Sequence, residues 1–392
     1  MNSAAETLLI TLSGEDRPGV TAAVFAALSA HDAEVLDIEQ IVARGHLTLA
    51  VLLDVTRCDL TAVRASMADV GADTGLDVRT VVGAPERSND ATGRLTVTVL
   101  GSPLRPDAMA AIARRVAEHE VNIDRIRRIA AYPVTAIVFE GTGLRVEELR
   151  AVLAAQAADL GVDIAVQRGG AMKRGQLLVV MDVDSTLIQD EVIDLLARAA
   201  GVEDQVAAIT ESAMRGEIDF TESLTQRVSA LAGLPASVID DVRKQVRLSP
   251  GARTLCRTLR NFGFRVCLVS GGFDAVIRPI AEELGIDELR ANHLEIVEGR
   301  LTGKVVGEII DRAGKRRALE EFAAHFAIPM SRTVAIGDGA NDLDMLAAAG
   351  LGVAFNAKPA VRSAAHAAVN VPYLDSVLYL LGITRDEVEA VQ

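Results

Sequence analysis

The sequence predicts an α/β protein in which a parallel-sheet core with a helical insertion follows two smaller domains of mixed strands and helices. Three observations carry this. Short apolar, β-rich runs break into loops of carboxylates, hydroxyls and glycines over residues 177–186, 264–272 and 333–342, as buried parallel strands do where their carboxyl ends face a ligand. Between the first two runs, residues 192 to about 248 carry apolar side chains at helical spacing, in 192–200, 206–214 and 238–246. The first 168 residues instead show one order of strands and helices twice, at an offset of roughly 87 residues.

In the first copy, residues 7–12 alternate as a strand, residues 14–19 (GEDRPG) turn the chain, and a helix over 20–28 starts just after Pro18. Strands at 35–43 and 46–55 flank Arg44-Gly45, a helix covers about 60–70, and a last strand lies near 77–82. The second copy places a strand at 95–100, a turn at 101–106, a helix at 107–119, strands near 123–131 and 135–140, a helix at 146–158 and a strand near 162–167. The order βαββαβ is the ferredoxin-like split arrangement. Breaks fall at the polar or glycine-rich segments 83–93 and 168–175, dividing the chain into 1–85, 92–168 and 176–392.

The first core strand ends in Asp182-Val183-Asp184-Ser185-Thr186. Spacing two puts both carboxylates on one side, where two negative charges need a neutralising cation. The second ends in Ser270-Gly271-Gly272, a hydroxyl followed by two backbones that can approach a phosphate closely. The third runs into Gly337-Asp338-Gly339-Ala340-Asn341-Asp342, a carboxylate-bearing glycine loop at a helix start. Lys315 stands at the entrance of a helical stretch running to Phe322, among Arg312, Arg316 and Arg317. Other chemistries fit poorly. The glycines within residues 299–304 are too close for a phosphate-binding P-loop, and that segment reads as a hairpin. Ser270 lacks the preceding glycine of a nucleophile elbow. The six histidines and Cys58, Cys256 and Cys267 show no metal-ligand spacing.

Taken in order, the DxDxT run, the serine after the second strand, the lysine and the GDGxND loop resemble motifs I to IV of the haloacid dehalogenase-like phosphatases; the family's spacing selects Lys315. The resemblance implies a Rossmann-like parallel-sheet phosphatase core with a small helical cap at about 192–248. It implies that Asp182 attacks phosphorus and that Asp184 donates and then accepts the proton. As an aspartate of ordinary pKa, Asp182 is expected to be ionised without a partner base. Mg²⁺ would be held by the Asp182 and Asp338 side chains and the Asp184 carbonyl, with Asp342 supporting from behind. Lys315, Ser270, Gly271, Asn341 and backbone N–H groups would receive the phosphoryl oxygens.

Within that superfamily, DVDSTLIQDE (182–191) and AMRGEIDFTESLTQRV (213–228) are similar to the phosphoserine phosphatases, a likeness running from about Gln176 to the C-terminus. Carried over by position, Glu191 would receive the ammonium and Arg227 the carboxylate of O-phospho-L-serine, with Met214 and Phe220 walling the cap. The reaction implied is Mg²⁺-dependent hydrolysis to L-serine and phosphate, the last step of serine biosynthesis. The two N-terminal copies resemble tandem ACT domains, modules that bind small amino acids at paired-domain interfaces. The first carries the DRPG turn, Asp16 to Gly19; the second reads GSPLRP, with one residue more and no glycine after proline. They imply a homodimer, with the domains serving either dimerisation alone or also L-serine as effector, in which case Gly14, Asp16 and Gly101 stand at the ligand sites.

Composition agrees. Half of the 392 residues are hydrophobic, enough for two or three cores, and a net charge of -14 argues against nucleic acid or an anionic membrane as partner. No basic and apolar leader opens the chain and no apolar run approaches a membrane span, so a cytoplasmic location is expected, in keeping with few cysteines. Alternatives are an enzyme acting on another small phosphate, phosphoryl transfer to an alcohol such as homoserine, and a non-catalytic amino-acid sensor on a relic phosphatase fold.

Overall fold

A computed structural model describes residues 6–83, 93–168, 177–215 and 217–391. The breaks expected at 83–93 and 168–175 fall, but for their ends, outside the described residues, as does the Met214 side chain. Two compact units result, one up to residue 92 and one from residue 93.

The first unit is βαββαβ: β1 (Thr7–Glu15), α1 (Val20–Leu28), β2 (Glu34–Ala43), β3 (His46–Asp54), α2 (Leu60–Thr74) and β4 (Asp77–Gly83). Its antiparallel sheet has the order β2-β3-β1-β4. Alternation along β1 and β3 sends Leu8, Ile10, Leu12, Leu47, Leu49, Val51 and Leu53 to one face, where they pack with Val20, Val24, Val63 and Met67 of the helices. β1 runs on to Glu15 instead of turning at Gly14, because Gly14 and Glu15 keep partners on β3 in Leu47 and His46. The turn is therefore confined to 16–19, and Gly19, at φ 97°, takes the left-handed conformation that opens α1.

The second unit begins with another βαββαβ: β5 (Arg94–Gly101), α3 (Pro106–Glu118), β6 (Asn122–Ala130), β7 (Thr135–Thr142), α4 (Val146–Leu160) and β8 (Asp163–Arg168). The core follows with β9 (Leu178–Met181) and four helices: α5 (Val192–Ala200), α6 (Glu203–Met214), α7 (Phe220–Ser229) and α8 (Val238–Arg243). Then come α9 (Ala252–Asn261), β10 (Arg265–Phe273), α10 (Asp274–Leu284), the hairpin β11 (Glu288–Val297) and β12 (Arg300–Val306), and α11 (Arg312–His325). The chain closes with β13 (Thr333–Gly337), α12 (Leu343–Ala348), β14 (Leu351–Phe355), α13 (Pro359–Ala364), β15 (Ala367–Val369), α14 (Val377–Leu380) and α15 (Arg385–Ala390).

Its sheet has the order β12-β11-β10-β9-β13-β14-β15-β8-β5-β7-β6. From β11 to β15 neighbouring strands are parallel, with β9 between β10 and β13. A strand in that position delivers its following loop to the crevice where connections leave in opposite directions. Both faces of β9 are covered, Val179 and Met181 joining the larger core that includes the cap helices, Leu178 and Val180 the smaller one with α11 and α12.

Three features differ from the sequence expectation. α7 falls inside the expected helical insertion but outside its three named segments, and its signal is local: Asp219 accepts the Glu222 N–H at 2.8 Å as N-cap. β10 continues through Ser270-Gly271-Gly272 to Phe273, with an irregularity in its pairing to β11 between Val269 and Phe273. The ferredoxin-like copy and the core also share one sheet, through Ala165 of β8 opposite Ala367 of β15. Buried Asp163 clasps this joint, accepting the Asn370 backbone N–H at 2.7 Å and its side-chain N–H at 2.5 Å. Among the described residues no helix is long and apolar enough to cross a membrane.

Candidate active site

Asp182 directly follows β9, and its backbone N–H donates to the Ile336 carbonyl of β13 at 2.9 Å, so its position is fixed by two strands. Residues 183–187 then form a tight, irregular turn in which Ser185 adopts a left-handed φ of 56°. That conformation is costly for a residue with a Cβ. It aims the Ser185 hydroxyl at Glu191, which accepts it at 2.8 Å.

Lys315 lies in the first turn of α11 and is 1% exposed. Helical spacing puts it on the face of Ala318, Leu319 and Phe322, so it turns inward while Arg312, Arg316 and Arg317 pair at the surface with Asp344, Glu320 and Glu308. Its ammonium stands 2.7 Å from Asp182 Oδ1 and 2.7 Å from Asp342 Oδ1. Burial opposes the ammonium, but the two carboxylates outweigh it and raise the Lys315 pKa.

The carboxylates themselves are strained electrostatically. Burial, then Asp342, pushes Asp182 well above the usual carboxylate range against the pull of Lys315. Burial and the neighbouring carboxylates thus work against the ionised form of Asp182 and the Lys315 ammonium works for it, so no partner base is needed but positive charge is. Asp338, raised to about 6 by burial and by Asp342, accepts the Thr186 hydroxyl at 3.1 Å. Oxygens of Asp182, Asp338 and Asp342 lie within 4.8 Å of one another. Hard carboxylate donors crowded in this way, with one lysine against three acids, fit a small divalent cation such as Mg²⁺. Both Asp342 oxygens are already engaged, one by Lys315 at 2.7 Å and the other by the Gly339 N–H at 2.9 Å.

Asp184 is the other carboxylate of the pair. It accepts the Val192 N–H at 2.8 Å and the Ser270 hydroxyl at 3.1 Å, and burial, then Glu191, raises it to about 7. Such a group holds a proton for much of the time near neutrality. Ser270 is fully buried, and its oxygen also accepts the Gly272 N–H at 2.8 Å. It thus lies behind the cavity wall, which at that point consists of Gly271 and Gly272.

The cavity above these groups measures about 790 Å³. Its walls include Asp182, Asp184, Lys315, Asp338 and Asn341 on the core side and Glu191, Phe220 and Arg227 on the cap side. Glu191 is raised by burial, while burial lowers Arg227 against the pull of Glu191. The cavity thus offers one acid and one base at the cap beside the carboxylates of the core. Sequence reasoning missed Ser185, Arg312, Asn356 and Lys358, which also line it. Ser185 was readable from its place inside the DxDxT loop; Asn356 and Lys358 were not, because their loop reaches the cavity only through the pairing of β14 with β13. Gly14 and Asp16 belong to the first unit and Gly101 ends β5 of the second; Gly14 and Gly101 stand at strand positions against Leu76 and Leu104.

Comparison with known proteins agrees in all three parts of the chain. A model of haloacid dehalogenase-like hydrolases matches residues 179–347, and two ACT-domain models match 6–81 and 94–167. The phosphoserine phosphatase of Streptomyces coelicolor is 58% identical over 98% of this chain and 94% of its own. The phosphoserine phosphatase SerB2 of Mycobacterium tuberculosis is 53% identical over 98% of this chain and 95% of its own. Among solved structures, a phospho-aspartyl intermediate analogue of phosphoserine phosphatase matches with a TM-score of 0.50 at 40% identity, covering 53% of this chain and 99% of that one.

Proposed function

The chain belongs to the phosphoserine phosphatases, a branch of the haloacid dehalogenase-like hydrolases that here carries two ACT domains, and we propose that it hydrolyses O-phospho-L-serine to L-serine and phosphate through an aspartyl-phosphate. The observation that carries this is the composition of one cavity: Asp182 and Asp184 at its floor, Glu191 and Arg227 on its cap wall. A substrate with a phosphate, an ammonium and a carboxylate matches that set of charges, and the planar Arg227 guanidinium can grip a carboxylate with two parallel bonds.

In the first half-reaction an Asp182 oxygen forms a bond to phosphorus as the bond to the serine oxygen breaks. Asp184, whose pKa burial and Glu191 raise to about 7, gives its proton to the departing alkoxide. In the second half the Asp184 carboxylate takes a proton from water, whose oxygen attacks phosphorus and returns Asp182 to a free carboxylate. Lys315 and the Gly271 N–H stabilise the negative charge of the phosphoryl group. Asp182 and Asp338, with the Asp184 carbonyl, would hold Mg²⁺, and Asp342 would brace them through Lys315 and Gly339. When bound, the ion supplies the charge neutralisation that lets an anionic nucleophile meet an anionic phosphate. A relative captured as a phospho-aspartyl intermediate analogue supports this chemistry.

Phosphate release from phosphoserine, phosphothreonine and an aryl phosphate, with Mg²⁺ or chelator, tests the reading. Phosphoserine should be preferred and chelator should stop turnover; equal rates on all three esters would contradict it.

Two regulatory elements belong to the same proposal. L-serine at the ACT domains acts as a feedback effector, and the protein is a cytoplasmic homodimer completing serine synthesis. The apolar side chains of Val35, Leu36, Ile38, Ile41 and Val42 on exposed β2 support self-association. For the effector, exposed Asp16 is a cleaner test than Gly14 or Gly101, where an added Cβ would come within 2.6 Å of Leu76 and 2.9 Å of Leu104. Serine inhibition unaltered in Asp16→Ala would remove that site from the proposal.

A further inference from the structure

Four cations line the cavity: Arg227, Arg312, Lys315 and Lys358. Two are paired with carboxylates and a third sits among acidic groups. Lys315 is shared between Asp182 and Asp342, Arg312 is paired with Asp344, and Arg227 lies in the field of Glu191 and Asp194. Neither Arg227 nor Lys358 has a carboxylate within 4.0 Å among the described residues, but Arg227 is half-buried and donates to the Ser223 carbonyl at 3.4 Å, whereas Lys358 is exposed.

Its base is nevertheless firmly held. The residue is extended (φ -63°, ψ 154°), as the following Pro359 requires, and its carbonyl accepts the N–H groups of Val361 and Arg362 at 3.0 and 3.1 Å. The loop before it is tied to the sheet by the Asn356 N–H, which donates to Val369 at 2.9 Å. An ammonium on a fixed base at a cavity mouth, without an internal counter-charge, is available to a ligand.

The electrostatic need is plain. The cavity carries Asp182, Asp184, Glu191 and Asp338 on its walls, and the whole chain has a net charge of -14. A phosphate dianion approaching such a surface is repelled unless a local positive group focuses the field. We propose that Lys358 is a recruitment and specificity residue for the anionic substrate, engaging its phosphate on entry to the cavity. This rests on the phosphatase reading above. It assigns Lys358 to binding and leaves the bond-breaking steps to Asp182 and Asp184.

The test compares wild type, Lys358→Met and Lys358→Arg in the full-length protein with Mg²⁺. Inorganic phosphate binding is followed by calorimetry, and phosphoserine turnover is followed at several salt concentrations. Lys358→Met should weaken phosphate binding and lower kcat/KM by about tenfold with kcat little changed, and its kcat/KM should depend less on salt than that of wild type. Lys358→Arg should restore both. Phosphate affinity equal in wild type and Lys358→Met, or an arginine variant as weak as the methionine one, would overturn the inference. Failure of the phosphatase reading would appear separately, as phosphate binding by wild type without turnover of phosphoserine.

Discussion

Lys315 holds its ammonium 2.7 Å from Asp182 Oδ1 in a setting where the lysine is 1% and the aspartate 3% exposed. The contact joins the start of α11 to the end of β9, and through Asp342 it reaches the loop after β13. Removing the lysine would leave two buried carboxylates facing one another. Lys315→Met should therefore cost about 3–5 kcal/mol of stability, as the loss of one partner of a buried pair does. It should also lower phosphate release by at least about a hundredfold. Chemical denaturation alongside a turnover assay measures both; a variant of wild-type stability would show that the pair is not held in this way.

Metal and proton should compete for the acidic cluster. Asp338 is raised to about 6 and Asp182 is raised well above the ordinary carboxylate range. Between the unfolded and folded pKa values the folded metal-free protein binds more protons than the unfolded chain, so its stability falls as pH rises through that window. Mg²⁺ offsets the same charge. Without metal the melting temperature should be lower at pH 7 than at pH 5, and the rise caused by Mg²⁺ should be larger at pH 7. A Mg²⁺ effect independent of pH, read by thermal unfolding, would contradict this.

Arg227 should separate binding from chemistry. Arg227→Ala should raise KM for phosphoserine by about tenfold to a hundredfold, the range of one charge-assisted contact, while a phosphate ester without a carboxylate is hydrolysed nearly as before. Steady-state kinetics on both substrates decides it, and an equal loss on both would show that Arg227 does not read the carboxylate.

The joint between β8 and β15 is a matter of stability. Asp163 is buried, and burial raises its pKa against the hydrogen bonds from Asn370. Asp163→Ala would strand the Asn370 backbone and side-chain N–H groups and should cost about 1–3 kcal/mol. An unchanged denaturation midpoint would mean that the sheet continues without this clasp.

Much of this was readable in the sequence because it is local. Apolar runs broken by Asp182, Ser270 and Asp338 mark strand ends directly, and the twofold βαββαβ order lies in alternating residues and turns. Lys315 is harder to pick out from three neighbouring arginines, since only helical phase decides which cation turns inward. What stayed hidden depends on contacts distant in the chain. The Asp163 clasp joins residues 207 positions apart, and the loop of Asn356 and Lys358 reaches the cavity through strand order. The raised pKa of Asp182 likewise comes from burial and from Asp342, neither of which its own motif reveals.

The most direct measurement is to mix the protein with phosphoserine and Mg²⁺, quench in acid within a turnover, reduce the acyl-phosphate with borohydride and map the modified residue by mass spectrometry. The account predicts a single modified side chain, Asp182, absent from Asp182→Asn. Modification of any other residue, or turnover by Asp182→Asn at the wild-type rate, would contradict it.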